Sequence, residues 1–160
     1  MIFGIILIII FIFGVVVFFG APYLPTMEKQ TQAALDLLKL RPGQTLIELG
    51  SGDGRVMRAA AKRGLKAVGY ELNPFLVVVS YVVTWKYRKN VQIIWGNYWR
   101  KAWPKADGIF VFLIDSYMEK LDKKLTNYPY KPIKLASFTF EIPSKKPEKT
   151  IESIHIYRYK

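Results

Sequence analysis

Short apolar runs alternate with amphipathic segments over most of the chain. Apolar or alternating runs of strand length predict β-strands at residues 45–49, 66–71, 91–95, 108–114, 133–140 and 151–159. Apolar positions at helical spacing, together with helix-start signals, predict helices at residues 27–40, 55–63, 75–89 and 116–125. Strands that alternate with helices in this way form a parallel sheet covered by helices, so an α/β protein is expected.

Candidate caps mark the starts of several predicted helices. Thr26 and the S-x-x-E box at 116–119 are typical N-terminal caps. Asn73 followed by Pro74 predicts an N-cap with proline in the first turn. The segment 75–89 is rich in valine, which favours a strand by propensity. Because of its cap, its length and its place between strands, we predict a buried helix there.

The connection between the last two predicted strands is short and broken by proline. It contains Pro143 and Pro147 and has no room for a helix. Parallel pairing needs a crossover of about a dozen or more residues, so the last strand is expected to run antiparallel to the one before it. The predicted fold class is therefore a Rossmann-like α/β sheet of about six strands, mostly parallel, with the last strand antiparallel.

The chain begins with an apolar stretch. Residues 1–27 carry no charged side chain, and residues 2–19 are almost wholly aliphatic or aromatic, long enough to cross a bilayer as a helix. A secretory signal peptide would have a basic start and a small-residue cleavage site, which this stretch lacks. We predict a single-pass anchor at residues 1–20, a proline-broken connector at 21–26 and a folded domain at 27–160.

The charge of the chain bears on its location and partners. It has 24 Lys and Arg against 12 Asp and Glu, and the net charge of +12 favours anionic lipid, nucleic acid or acidic protein as partners. Lys29, Lys39 and Arg41 follow the apolar stretch and no basic residue precedes it, so the domain is expected on the cytoplasmic side of the membrane. Without cysteine and with one histidine, His155, expected at a strand surface, no metal site is expected.

Glycines at alternate positions follow the first predicted strand. The sequence ELGSGDGR at 48–55 places Glu48 at the strand end and Gly50, Gly52 and Gly54 in the turn before a helix. Such a turn can bring backbone N–H groups close to a ligand. The spacing differs from the dinucleotide fingerprint G-x-G-x-x-G, and a purely structural turn is the alternative interpretation.

A second carboxylate, Glu71, ends the second predicted strand. Carboxylates at the ends of successive strands suit a ligand that has a cationic amino group and a ribose diol, because a carboxylate accepts hydrogen bonds from both hydroxyls of a diol. S-adenosylmethionine (SAM) has both groups. The sequence therefore predicts a SAM site between Glu48 and Glu71.

Two blocks of the sequence resemble one family. LIELGSGDGR at 46–55, joined to GYELNP at 69–74, is similar to the small membrane-anchored lysine methyltransferases, which belong to the class I SAM-dependent methyltransferases. That family modifies the c-subunit of mitochondrial ATP synthase and the adenine nucleotide translocase, and it has prokaryotic relatives. The resemblance extends in patches from residue 22 to residue 159. It implies a SAM-dependent enzyme, a protein-lysine N-methyltransferase acting on a membrane-associated protein.

The resemblance also implies site residues. The loop at 48–54 would hold the methionine part of SAM, Glu71 would accept hydrogen bonds from the ribose, and Asn97 stands where relatives carry an aspartate beside the adenine amino group. The implied cofactor-binding residues are Glu48, Gly50, Ser51, Gly52, Asp53, Gly54, Glu71, Leu72, Asn73, Asn97 and Tyr98.

The residues that would act on the acceptor are less defined. Candidates for catalysis are Asp115, Tyr98 and Trp99, although Asp115 has the alternative role of beginning a helix, and no general base is identified. An aromatic pocket would favour the neutral form of an acceptor lysine by lowering its pKa. The aromatic residues considered for that pocket are Tyr23, Tyr98, Trp99 and Tyr117.

Two other functions stay open on the sequence. A methyltransferase for a lipid or quinone would suit the anchor and the basic surface equally. A non-catalytic SAM-fold module could use that surface to bind anionic membrane or nucleic acid. For the favoured function, the expected partners are membrane lipid, through the N-terminal helix, and a membrane-protein substrate, whereas nucleic acid is not expected.

Overall fold

A seven-stranded sheet organises the part of the protein that the computed structural model describes, which is Gly4 and residues 25–160. The strands are β1 (Thr45–Leu49), β2 (Lys66–Glu71), β3 (Val91–Trp95), β4 (Gly108–Val111), β5 (Ile133–Phe138), β6 (Lys149–Ile151) and β7 (Ile154–Tyr159). They lie in the order β3-β2-β1-β4-β5-β7-β6. The first five strands are parallel, and β7 pairs antiparallel with both β5 and β6. The expected mostly parallel α/β sheet with an antiparallel end is confirmed.

Helices cover both faces of the sheet. They are α1 (Glu28–Leu38), α2 (Arg55–Lys62), α3 (Pro74–Thr84) and α4 (Met118–Thr126). Helices α1, α2 and α3 bury side chains such as Leu38, Met57 and Val77 in one apolar core, whereas α4 buries Leu121 and Leu125 in a second core on the opposite face. Each predicted helix is therefore present, with ends that differ by a few residues.

The C-terminal strand prediction was wrong in one respect. The segment predicted as a single strand at 151–159 belongs to a hairpin that begins at Lys149, in which β6 and β7 are joined by Glu152 and Ser153. Both joining residues have positive φ, +52° and +60°, as a tight two-residue hairpin turn requires. Because neither is glycine or asparagine, the usual sequence signal for this turn is missing. The sheet has seven strands instead of about six for this reason.

Two of the three predicted N-caps were also wrong. Helix α1 begins after Met27 and α4 after Tyr117, and neither helix has a side-chain hydrogen bond at its cap. A short 3₁₀ turn, Asp115–Tyr117, contains the expected cap Ser116, whereas Glu119 lies in the first turn of α4. The Asn73 cap is confirmed, since its Oδ1 accepts a hydrogen bond from the N–H of Phe75 at 2.9 Å.

Two predictions about burial were wrong in opposite directions. Helix α3 is not buried all round, because one of its faces packs on the sheet and the other is exposed. His155, expected at a surface, is buried in β7, where its Nδ1 lies 3.0 Å from Thr150 Oγ1. Burial is set by the layer that covers a strand or helix, which the local pattern of residues does not reveal.

The predicted membrane anchor at residues 1–20 lies outside the described residues, apart from Gly4. In the described part of the chain, no helix has the length and apolar character needed to span a bilayer. The anchor and its connector at 21–26 stay predictions.

Candidate active site

The glycine loop lies at the carboxyl end of β1, in the middle of the sheet. β1 pairs with β2 on one side and with β4 on the other, so the loop stands where the strand order changes direction. Parallel α/β sheets bind their ligands at this position. Gly50, Gly52 and Gly54 have φ values of +87°, +53° and +80°, which L side chains rarely adopt.

The backbone N–H groups of this loop are largely used within the protein. Those of Gly50 and Ser51 both donate to Tyr70 O at 2.9 Å, and that of Gly54 donates to Ser51 O at 2.8 Å. The N–H of Gly52 donates to Glu71 Oε2 at 2.8 Å. These four N–H groups therefore already have acceptors within the protein. A phosphate group, which needs such donors, fits this loop poorly.

The loop offers space to a ligand. A Cβ atom added to Gly50 would meet no heavy atom within 4 Å. On the other side of the loop, a Cβ on Gly54 would lie 2.9 Å from Ser80 Cβ, so that glycine lets α2 pack closely on α3. Gly50 thus leaves open space beside the loop, and Gly54 allows the close contact between α2 and α3.

Glu71 joins two segments of the site. Its Oε2 accepts the hydrogen bond from Gly52, and its Oε1 accepts one from the N–H of Asn73 at 2.8 Å. The side chain is buried, which raises the pKa of the Glu71 carboxyl, while the backbone donors partly oppose that shift. Each carboxylate oxygen keeps a lone pair that can accept from a ligand hydroxyl.

Glu48 is the most strongly perturbed acid near the loop. It is 5% exposed, and its Oε2 is buried with no hydrogen-bond partner in the structure. Burial raises the pKa of Glu48 well above its usual value, and the charges of Asp53 and Glu71 raise it further, while a hydrogen bond from the backbone of Met57 opposes them. An unpartnered buried carboxylate oxygen is where a cationic ligand group would be most favourable.

The other predicted cofactor residues lie around these two carboxylates. Ser51 Oγ is also buried without a partner. The two oxygens of Asp53 accept hydrogen bonds from Arg55 Nε and Nη2. Asn73 is buried, and Leu72 O accepts a hydrogen bond from Trp95 Nε1 at 3.1 Å.

A turn after β3 brings aromatic side chains to the site. The N–H of Gly96 donates to Glu71 O at 2.8 Å, and Asn97 Oδ1 accepts from the N–H of Trp99 at 2.9 Å. Asn97 therefore caps the 3₁₀ turn Tyr98–Arg100, and its oxygen keeps one lone pair for a ligand. The pKa of Tyr98 is raised by burial and then by the nearby Tyr117 and Glu71.

The aromatic residues form a continuous cluster. The ring centroids of Tyr98 and Trp99 are 4.8 Å apart, and those of Trp99 and Tyr117 are 5.9 Å apart. Asp115 is exposed and begins the 3₁₀ turn that carries Tyr117, which is the alternative role considered for it. Tyr23 lies outside the described residues.

Two lysines on α4 were not singled out from the sequence. Lys120 Nζ lies 4.7 Å from the ring centroid of Trp99. Lys124 Nζ donates to Trp99 O and Lys101 O, both at 3.3 Å, and lies 4.8 Å from the Trp103 ring centroid. Their spacing of four residues places both lysines on one helix face. Because lysines at this spacing are also usual on a solvent-exposed helix face, the sequence did not mark them as site residues.

These features fit SAM. The cofactor has an α-amino group for the unpartnered carboxylate oxygen of Glu48 and a ribose diol for Glu71. The open space at Gly50 leaves room for it beside the loop.

Comparisons with known proteins agree with this geometry. A family model described as the ANTKMT methyltransferase domain matches residues 48–149. A crystal structure described as an RNA methyltransferase from Salinibacter ruber in complex with S-adenosyl-L-homocysteine matches with a TM-score of 0.78 and 26% identity, over 85% of this chain and 92% of that one. The class I methyltransferase fold expected from the resemblance is confirmed.

Several curated relatives are named as lysine methyltransferases. The ATP synthase C-subunit lysine N-methyltransferase of Xenopus laevis is 32% identical over 129 residues, 79% of this chain and 57% of the relative. The protein-lysine N-methyltransferase of Saccharolobus islandicus is 29% identical over 135 residues, 82% of this chain and 84% of the relative. The chain thus spans little more than half of the first relative's length. The family match covers most of the chain, and the chain belongs to the ANTKMT methyltransferase domain family.

Proposed function

We propose that this protein is a SAM-dependent protein-lysine N-methyltransferase that acts on a membrane-associated protein. The observation that carries the proposal is the pair of buried carboxylates, with Glu71 joined to Gly52 and Glu48 Oε2 left without a partner. SAM, when bound, supplies a methyl group on a positively charged sulfur, which leaves as a neutral thioether. Its cationic character suits a site with two acids and few unused N–H donors.

The cofactor would be held by groups of three kinds. Glu48 and Ser51 offer buried polar atoms to its methionine part, and Glu71 offers acceptors to its ribose. Asn97 offers an acceptor for the adenine amino group, and Gly50 leaves the space that the ligand needs.

The aromatic cluster would position the acceptor lysine. Methyl transfer requires a neutral amine aligned with the methyl group, and the enzyme contributes mainly by holding them in that geometry. Desolvation among Tyr98, Trp99 and Tyr117 lowers the pKa of an entering lysine and so helps it lose its proton. Lys120 Nζ lies 4.7 Å from the Trp99 ring centroid, so a lysine side chain can reach this ring.

The membrane location rests on the sequence. Residues 1–20 are apolar enough to form an anchor, and the basic residues that follow favour a cytoplasmic domain. Curated relatives are named for the C-subunit of ATP synthase and for the adenine nucleotide translocase, which are membrane proteins. An anchored domain would meet a substrate of this kind by diffusion in the plane of the membrane.

Cofactor binding by full-length protein in lipid vesicles tests the site. Calorimetry is expected to show SAM binding by the wild type, with affinity about 10-fold or more lower in Glu71→Ala, because hydrogen bonds from the ribose hydroxyls to a charged acceptor are lost. Glu71→Gln keeps one acceptor oxygen and should lie between the two. Glu148→Gln, a half-exposed acid paired with Arg158, is the matched control and should bind as the wild type does. Equal affinity of Glu71→Ala and wild type would refute the assignment of Glu71.

Methyl-labelled SAM, added to membranes with the protein, tests the acceptor. Label recovered as methylated lysine after acid hydrolysis of the protein fraction is the expected result. Label in the organic extract would instead identify a lipid or quinone methyltransferase, and label in RNA would identify a nucleic-acid enzyme. Absence of both SAM binding and transfer would favour the non-catalytic module.

A further inference from the structure

Helix α3 presents an apolar stripe to its surroundings. Its spacing of three, four and three residues places four large side chains on one face. These side chains are Phe75, Val78, Val82 and Trp85, with exposures of 64%, 61%, 72% and 64%. The opposite face, which includes Val77 and Thr84, is buried against the sheet and α2. A soluble surface rarely exposes a contiguous stripe of this kind, so it indicates a contact with another apolar phase or partner.

Cations border the stripe at its carboxyl end. Lys86, Arg88 and Lys89 are all exposed, and the Arg88 guanidinium carbon lies 4.9 Å from the Trp85 ring centroid. No aspartate or glutamate occurs in the sequence between Leu72 and Ala106, whereas six lysines and arginines do. The charged residues of the segment that carries the stripe are therefore all basic.

We propose that α3 lies in the plane of an anionic membrane surface. The apolar stripe would enter the headgroup region, and the three cations beyond it would contact lipid phosphates. A helix with an apolar face that contains tryptophan and phenylalanine, next to lysine and arginine, is typical of interfacial binding. Tryptophan is favoured there because its ring is apolar while its N–H is polar.

Other occupants fit less well. The aliphatic side chains of Val78 and Val82 offer nothing to nucleic-acid phosphates or base edges. A second copy of the chain would bring three more cations to the interface, and the segment that carries the stripe has no acidic residue to pair with them. Anionic lipid satisfies both the apolar stripe and its basic border.

This docking would set the position of the active site. Phe75 begins the stripe two residues after Asn73, whose backbone N–H donates a hydrogen bond to Glu71 Oε1. Trp95, which is 63% exposed, donates to Leu72 O and extends the apolar surface at that end. The cofactor edge of the sheet would therefore lie beside the bilayer surface, whatever the acceptor proves to be.

A position-specific reporter tests the contact, since residues 1–20 could hold the chain at a membrane without any docking of α3. The chain contains no cysteine, so Val82→Cys and Thr126→Cys can each carry one nitrobenzoxadiazole label. Residue 126 is exposed on α4, on the opposite face of the sheet, and is the matched control. The full chain is placed in phosphatidylcholine vesicles with and without phosphatidylglycerol.

The label at residue 82 is expected to brighten several-fold when phosphatidylglycerol is present and to be quenched by nitroxide lipids. The label at residue 126 should do neither. Changing Lys86, Arg88 and Lys89 to Gln in the Val82→Cys background should weaken the docked state about fivefold for each cation, with an unchanged thermal unfolding midpoint.

Three results would overturn the proposal. The first is a label at residue 82 that does not respond to phosphatidylglycerol, and the second is an equal response at residue 126. The third is brightening at residue 82 that rises with protein density in phosphatidylcholine alone, which would identify a second copy of the chain as the occupant. These readouts do not depend on methyl transfer, so failure of the proposed function would leave them interpretable.

Discussion

The surroundings of Glu48 oppose ionisation of its carboxyl group. Its carboxyl is buried beside Asp53 and Glu71, and these influences raise its pKa. A cationic ligand that reaches Glu48 Oε2 would favour the ionised carboxylate and bring its pKa down again. Binding of such a ligand and loss of the proton from Glu48 are therefore linked.

We predict that the affinity for SAM rises as the pH is raised toward the elevated pKa of Glu48 and falls again where the α-amino group of SAM loses its own proton. Below that pKa the carboxyl is neutral and attracts the cation weakly. In Glu48→Gln this part of the pH dependence should disappear, leaving the smaller contribution of Glu71, whose pKa is also raised. Calorimetric titrations from about pH 5 to about pH 9 would measure it. An equally steep pH dependence in Glu48→Gln would contradict the prediction.

The raised pKa of Glu48 also makes the stability of the folded protein depend on pH, and this stability falls as the pH rises. The folded-state pKa of Glu48 lies above its unfolded value, so the folded protein binds its proton more tightly. The stabilisation that protonated Glu48 contributes is complete below the pKa of Glu48 in the unfolded chain. It is lost as the pH rises through the pKa of Glu48 in the folded protein. Without ligand, the wild type should therefore lose stability relative to Glu48→Gln over this interval, which thermal unfolding at several pH values can follow.

At the scale of elements, the close approach of β2 to the glycine loop depends on Gly69. This residue pairs with Glu48 in the register between β1 and β2. A Cβ atom there would lie 2.1 Å from Met57 Sδ and 2.7 Å from Ser51 Cβ. The Met57 side chain can move aside, but Ser51 Cβ moves only with the backbone of the loop.

We expect Gly69→Ala to displace the loop, destabilise the protein by about 1–3 kcal/mol and lower its affinity for SAM. Gly108→Ala is the matched control, because a Cβ at Gly108 would meet the flexible end of the Leu40 side chain at 3.0 Å, far from the loop. Urea unfolding and calorimetry measure the two effects. Normal SAM affinity in Gly69→Ala would show that the loop tolerates the extra methyl group.

At the scale of the whole molecule, the C-terminal hairpin is tied to α4 across one core. The hydroxyl of Tyr159 in β7 donates to Asp122 Oδ1 in α4 at 2.7 Å. Asp122 also accepts from Ser144 Oγ at 2.7 Å, so three segments meet at one carboxylate. Burial, together with this neighbouring carboxylate, raises the pKa of Tyr159.

Tyr159→Phe is expected to destabilise the protein by about 1 kcal/mol, because Asp122 keeps its other partners when one hydrogen bond is lost. Its SAM affinity should not change, since this bond lies between β7 and α4 instead of at the loop after β1. Tyr130→Phe, at an exposed ring, is the control and should leave urea unfolding unchanged. A loss of SAM binding in Tyr159→Phe would show that the hairpin supports the cofactor edge.

The sequence alone determined the features that depend on neighbouring residues. Periodicity placed the helices and the five parallel strands, and the strand–glycine–helix pattern placed Glu48 and its loop. Glu71 followed from the end of the next strand. These predictions succeed because strand and helix periods, capping at Asn73 and turn glycines are local properties of the chain.

Only the tertiary structure decided the features that join distant residues. It showed that the loop N–H groups are bonded to Tyr70 and Glu71, that Lys124 holds the turn after β3, and that Gly69 makes room for Ser51. It also left one face of α3 exposed, although the valine-rich pattern is that of a buried segment. Hydrogen-bond partners, close approach and exposure depend on which segments meet in space, and no local pattern of residues carries that information.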